Sequence, residues 1–210
     1  MTRVKVCGLT RESDVRAAVA LGADALGFIL APSRRQVTLE QVATLTRGLP
    51  PFVSVVGVMV DPAGGKLQEA VRSRLFDCLQ FHGNEQPFIL ARLPLKTIKA
   101  FGISRREDLD GTEAYAEVAD FFLFDTKTGG SSGGTGRTFD WSVLAETRFS
   151  RPFILAGGLG PENIREALGR LRPSAVDLNS RLESSPGIKD HGLMARAILA
   201  VKNDDMRGEF

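Results

Sequence analysis

Cysteine is scarce in this 210-residue chain: Cys7 and Cys78 are the only two, far apart and outside any CxxC or Cys/His spacing. That removes a disulfide framework and a zinc site, and favours a reducing compartment. Neither charge is in excess, with 27 Lys and Arg against 25 Asp and Glu for a formal +2. The basic residues are scattered, so there is no footprint for nucleic acid or a membrane surface. Long hydrophobic runs are missing too. The start, MTRVKVCGLTRESD, lacks the apolar core of a signal peptide, and no stretch reaches transmembrane length, so the expectation is a cytoplasmic protein. No GxGxxG supports a dinucleotide site. SSGGTGRT approaches the P-loop, but Ser131 stands where the first glycine belongs and Arg137 where the phosphate-reaching lysine belongs, which argues against a nucleotide hydrolase.

What the chain does have is a regular alternation. Short β-rich runs at 3–7, 24–30, 53–60, 77–82, 95–101, 120–125, 152–156 and 174–178 are separated by amphipathic stretches. Helix starts are expected after Thr10, Thr38, Asp61-Pro62, Ser104, Asp140 and Gly160-Pro161, with a last helix over about 190–202. Strict strand-helix alternation implies parallel strands joined by crossover helices, and eight units close a barrel. The expected fold is therefore α/β, a single (β/α)8 TIM-type barrel with short loops. It occupies residues 1–202 as one domain, followed by a polar, frayed tail over 203–210.

In such a barrel the C-terminal strand ends share one face, where chemistry is assembled. The first run, RVKVC, delivers Cys7 there, and FFLFD delivers Asp125. After the second run come Arg34 and Arg35, after the fourth His82, and after the seventh and eighth AGGLGPEN and DLNSRLE. Cys7 could be a small buried thiol, Asp125 a loop cap and His82 a rim histidine, while Cys78, inside its strand, reads as core. The convergence of a thiol, a carboxylate and an arginine on one rim favours function. The last two turns suit a phosphate, because Gly157, Gly158, Asn179 and Ser180 can offer backbone N–H groups to an anion.

Taken together, KVCGLT, PSRRQV, LQFHGNE, FDTKTGGSSGGTGRTFDW, FILAGGLGPENIREAL and AVDLNSRLESSPGIKD resemble, in order and spacing from Lys5 to Asp190, the motifs of the phosphoribosylanthranilate isomerase family of tryptophan biosynthesis. The resemblance implies a cofactor-free and metal-free Amadori rearrangement of N-(5-phosphoribosyl)anthranilate to 1-(2-carboxyphenylamino)-1-deoxyribulose 5-phosphate. It implies that Cys7 is the general base, with its pKa lowered toward neutrality, and Asp125 the general acid, held protonated. Arg35 rather than Arg34 then meets the anthranilate carboxylate. His82, Gly157, Gly158, Asp177, Asn179 and Ser180 line the phosphate and rim. Gly133, Gly134, Thr135 and Gly136 form a loop that closes over the site.

One departure stands out: Asn179 occupies a position where serine is usual, and Arg181 one where glycine is usual. The expected partner is a phosphorylated small molecule, with no nucleic acid or membrane, and the chain works as a monomer or homodimer. The alternatives are a sister phosphate-binding barrel, such as indole-3-glycerol phosphate synthase or the histidine-pathway isomerase, and an inactive barrel serving as a binding module. The synthase calls for lysine and glutamate pairs at early strand ends and the histidine-pathway isomerase for an aspartate on the first strand, and Cys7 fits neither.

Overall fold

The computed structural model describes residues 1–128, 131–132 and 140–207. The eight expected strands are all present: β1 (Arg3–Val6), β2 (Ala25–Ile29), β3 (Ser54–Met59), β4 (Cys78–Phe81), β5 (Lys96–Ile103), β6 (Phe121–Thr128), β7 (Phe153–Leu155) and β8 (Ala175–Leu178). Neighbours pair in parallel in chain order, β1 also pairs with β8, and the sheet closes into a barrel. Side chains alternate across each strand. Val4, Val6, Leu26, Phe28, Leu79, Phe81, Phe122 and Phe124 point outward and are buried under the helices. Val56, Cys78, Ile98, Ala100, Leu123, Ile154 and Ala156 form a separate cluster that fills the barrel interior.

The face opposite the strand ends is pinned by a repeated device. Asp24, just before β2, accepts the Val4 N–H of β1 at 2.8 Å; Asp77, before β4, accepts the Val55 N–H of β3 at 2.7 Å; Asp120, before β6, accepts the Thr97 N–H of β5 at 2.8 Å. Each aspartate satisfies a backbone donor at the start of the preceding strand and fixes the register between the two.

The crossover segments are α1 (Glu12–Ala20), α2 (Leu39–Leu45), α3 (Gly64–Ser73), α4 (Pro87–Leu90), a 3-10 helix over Arg106–Tyr115, α5 (Ser142–Ala145), α6 (Ile164–Leu171) and α7 (His191–Arg207). Thr38 caps α2 as expected, in a reciprocal box with Gln41 at 3.3 and 2.8 Å. Thr10 does not cap α1. Its hydroxyl donates to the Gly187 carbonyl at 2.6 Å, tying the loop after β1 to the hairpin after β8. Before the 3-10 helix the cap runs backwards: the Asp108 carboxylate accepts from Ser104 N–H and Oγ–H at 2.8 and 2.9 Å. The α4 turn carries no polar cap, only Pro87 in its first turn, so no helix start was legible there. α7 runs on through residues 203–207, and residues 208–210 of the expected tail lie outside the described residues.

Candidate active site

The loops at the strand ends enclose a cleft of about 400 Å³, a size suited to a small molecule. Cys7, Arg34, Arg35, Gln80, His82, Asp125, Gly157, Gly158, Asp177, Asn179 and Ser180 all line it. Every expected site residue within the described part of the chain is therefore on this face. Gly133, Gly134, Thr135 and Gly136, the expected closing loop, lie outside the described residues.

Strand parity sets the contents of the cleft. Cys7 follows Lys5 by two positions, His82 follows Gln80, Asp125 follows Leu123 and Asn179 follows Asp177, so all of these side chains share the inward face. Cys7 is 4% exposed. Its pKa is raised, contrary to the expected lowering: burial is the largest cause and Asp177 adds to it, while Lys5 and Lys189 pull the other way. Asp125 is raised as an acid requires, chiefly by burial, against the opposing His82 charge and the hydrogen bond from the Thr126 N–H at 2.7 Å. His82 Nε2 lies 3.5 Å from Asp125 Oδ2, and Gln80 Nε2 lies 3.2 Å from His82 Nδ1. Burial pulls the imidazole pKa down. A neutral ring accepting from Gln80 at Nδ1 carries its proton on Nε2, facing Asp125.

The loop holding His82 is itself clamped from the helix-facing side of the sheet. Lys99, 2% exposed, donates to the Gly83 carbonyl at 2.6 Å and to Glu85 Oε2 at 2.9 Å, and Glu85 Oε1 accepts the Gly83 and Asp61 N–H groups.

Arg35 makes a two-pronged pair with Glu183, Nε to Oε1 at 2.8 Å and Nη2 to Oε2 at 2.6 Å, which leaves Nη1 outside the pair. Lys189 reaches the same Glu183 at 3.0 Å and Asn179 Oδ1 at 2.9 Å. Asn179 is thus held by its oxygen, which locks the turn after β8. Gly8 makes room for this arrangement: at φ +71° it is in the left-handed region, and a Cβ there would sit 2.6 Å from Asn179 Oδ1 and 2.7 Å from Arg35 Cδ. Arg181 is not among the positive-φ residues, so the backbone at this position needs no glycine, and its Cβ packs over Gly160.

Gly157 and Gly158 both have positive φ, +85° and +63°. A Cβ on Gly157 would overlap Thr126 and come within 2.8 Å of Asp125 Oδ1, so the turn after β7 passes directly beside the carboxylate.

Sequence reasoning missed Lys5, Gln80, Lys99, Glu85, Glu183 and Lys189. Lys5 and Gln80 carried a signal, each standing two residues before an expected site residue on its strand. Three buried side-chain oxygens near the cleft, Asp177 Oδ1, Gln80 Oε1 and Thr126 Oγ1, have no hydrogen-bond partner among the described residues. Unpartnered buried polar atoms in a cleft are what a polar ligand satisfies.

Residues 4–200 match the family described as N-(5'phosphoribosyl)anthranilate (PRA) isomerase. The N-(5'-phosphoribosyl)anthranilate isomerase of Petrotoga mobilis is 49% identical over 198 residues, covering 94% of this chain and 96% of that protein. The phosphoribosyl anthranilate isomerase of Thermotoga maritima superposes with a TM-score of 0.90 at 38% identity, covering 97% of this chain and all of its own. A phosphoribosyl anthranilate isomerase in complex with reduced 1-(o-carboxyphenylamino)-1-deoxyribulose 5-phosphate superposes with a TM-score of 0.85 at 35% identity, covering 97% of this chain and 100% of that one.

Proposed function

The chain belongs to the N-(5'-phosphoribosyl)anthranilate isomerase family, and from that premise we propose that Cys7 is the general base and Asp125 the general acid of its reaction. The enzyme is an isomerase of tryptophan biosynthesis; the sister barrels and the inactive module are not favoured. The observation that carries the residue roles is the shared cleft, which has a raised carboxyl on β6 and a thiol directly after β1.

Asp125, protonated, gives its proton to the furanose ring oxygen of N-(5-phosphoribosyl)anthranilate. The C1–O bond breaks and the anilino nitrogen lone pair forms the C1=N iminium. Cys7, as thiolate, takes the C2 proton, and the C–H electron pair moves into a C1=C2 bond to quench the iminium. The resulting enaminol tautomerises to the ketone as C1 gains a proton and the C2 hydroxyl loses one. Burial raises both groups, but their neighbours differ: Asp125 faces an imidazole, while Cys7 faces Lys5 and Lys189 as well as Asp177.

Arg35, oriented by Glu183, meets the anthranilate carboxylate. Backbone N–H groups of Gly157, Gly158, Asn179 and Ser180 receive the phosphate, and Asp177 and His82 line the ribose between. Anchoring both ends of the substrate holds the reacting carbons between acid and base, a large contribution to rate in general. The partner is the phosphorylated substrate alone, no cofactor is used, and the chain acts as one domain, as a monomer or homodimer, in the cytoplasm. Among the described residues no helix is long and apolar enough to cross a membrane.

The test is the loss of anthranilate-type fluorescence when the protein meets freshly formed phosphoribosylanthranilate, with Cys7→Ala alongside. Rapid loss with wild type and none with the variant is expected. Equal rates for both would remove Cys7 from the chemistry.

A further inference from the structure

Beneath Cys7 lies a charged pair that the steps above do not use. Lys5 Nζ bonds Asp177 Oδ2 at 2.8 Å, with the two side chains 3% and 8% exposed. Barrel interiors are ordinarily filled by branched apolar residues, and an ion pair buried there is often no more stabilising than an apolar replacement of similar volume. Stability alone therefore gives little reason for the pair, whereas its neighbours do. Lys5 and Cys7 project inward from the same strand, and Gly27 on β2 faces the place where they meet. A Cβ on Gly27 would lie 2.7 Å from Cys7 Sγ and 3.0 Å from Lys5 Nζ. The missing side chain leaves room for the thiol and the ammonium to meet, where a methyl group would crowd both.

We propose that Lys5 is a positioning residue for this reaction: its ammonium, shared between Asp177 and Cys7, stabilises the thiolate that removes the substrate proton, and the absence of a side chain at Gly27 leaves room for that contact. The proposal rests on the assignment of Cys7 as base. Lys5 stays an ammonium throughout and transfers no proton; the thiol proton leaves to solvent before substrate binds.

The charged groups facing Cys7 come from several elements. Lys5 lies on β1, Asp177 on β8, Lys189 on the short strand Ile188–Lys189, and Arg35 on the loop after β2. His82 and Asp125 line the same cleft from the ends of β4 and β6. Burial and Asp177 oppose the thiolate, Lys5 favours it most among the cations, and Lys189 favours it less. Lys189 and Arg35 both spend their charge on Glu183. Lys5 makes its ion pair with Asp177, and among the described residues that carboxylate's second oxygen, Oδ1, has no hydrogen-bond partner.

The experiment follows the ultraviolet absorbance of the thiolate against pH in the folded enzyme, with Cys7→Ala as the blank. Subtracting the Cys7→Ala titration removes the contribution of Cys78, whose own thiol is also raised by burial. Lys5→Met raises the Cys7 midpoint by about one unit or more, a roughly tenfold loss of thiolate at neutral pH, and Lys5→Arg restores much of it. Asp177→Asn moves the midpoint down, because the anion opposing the thiolate is gone. An unmoved midpoint in Lys5→Met, or a shift of the same sign in both variants, overturns the proposal. Should Lys5→Met fail to fold, Asp177→Asn decides alone: a downward shift supports the coupling, and no shift or an upward one overturns it. The titration reads the coupling without turnover, so failure of the base assignment would show separately, as activity retained in Cys7→Ala.

Discussion

His82 Nε2 stands 3.5 Å from Asp125 Oδ2, which sets the imidazole beside the carboxyl proposed to open the substrate's ribose ring. The active form needs Asp125 protonated and Cys7 ionised. Burial raises both groups, and an ordinary thiol titrates far above an ordinary carboxyl. Only a fraction of the enzyme then carries this pair of states, and that fraction is constant between the two pKa values. The low-pH limb of kcat/KM belongs to Asp125 and the high-pH limb to Cys7. In its protonated form His82 opposes the upward shift of Asp125, so His82→Gln lets that shift grow and moves the low-pH limb upward. A pH profile of kcat/KM for both proteins reads this, and a low-pH limb that stays in place would separate His82 from the acid.

Asp125→Asn keeps the shape of the site but removes the transferable proton. Its kcat should fall by about 10²–10⁴-fold, the usual worth of a positioned acid. Circular dichroism should remain native, which distinguishes loss of chemistry from loss of fold.

Arg35 and Glu183 form one recognition unit. Arg35→Ala should raise KM with a smaller change in kcat, since it removes binding common to ground and transition states. Glu183→Gln should raise KM as well, because it weakens the charge-assisted pair that orients the guanidinium and leaves Lys189 less compensated. An unchanged KM in Glu183→Gln would show that Arg35 needs no partner.

Gly157→Ala puts a Cβ into Thr126 and against Asp125 Oδ1 at a residue with φ +85°. Backbone strain of about 1–3 kcal/mol is expected from the conformation alone. The variant should lose both thermal stability and kcat, whereas Gly111→Ala, with nothing within 4 Å, should lose no activity.

Asp24 joins the start of β1 to α7. Burial alone would raise its pKa, but hydrogen bonds from Lys202, the Val4 N–H and Arg3 outweigh that and lower it. A carboxylate depressed in the folded state contributes stability above its unfolded pKa of about 3.9 and loses it as pH falls through the lower folded value. The urea midpoint of wild type should therefore exceed that of Asp24→Asn at neutral pH, and the gap should close below about pH 4.

The barrel was legible because its β-rich runs are short, regularly spaced and separated by helix-like segments. The reactive strand ends were legible because Cys7, His82 and Asp125 each end such a run. What stayed hidden depends on closure of the barrel. Glu183 meets Arg35 only because β8 lies beside β1, 148 residues apart in the chain. Thr10 looked like a cap because its partner Gly187 is invisible locally. Lys5 between two valines reads as a solvent-facing residue until strand parity sends it, with Cys7, into the barrel. The raised thiol could not be read from sequence either, since burial and four charged neighbours decide it together.

The order of the two proton transfers is tested most directly by substrate carrying deuterium at C2 of the ribose. In Cys7→Ala, removal of that hydrogen becomes the slow step, so residual turnover should show a full primary isotope effect. In Asp125→Asn, ring opening becomes slow and the effect should collapse toward unity. The reverse pattern, an isotope effect in Asp125→Asn and none in Cys7→Ala, would contradict the assignment of acid and base.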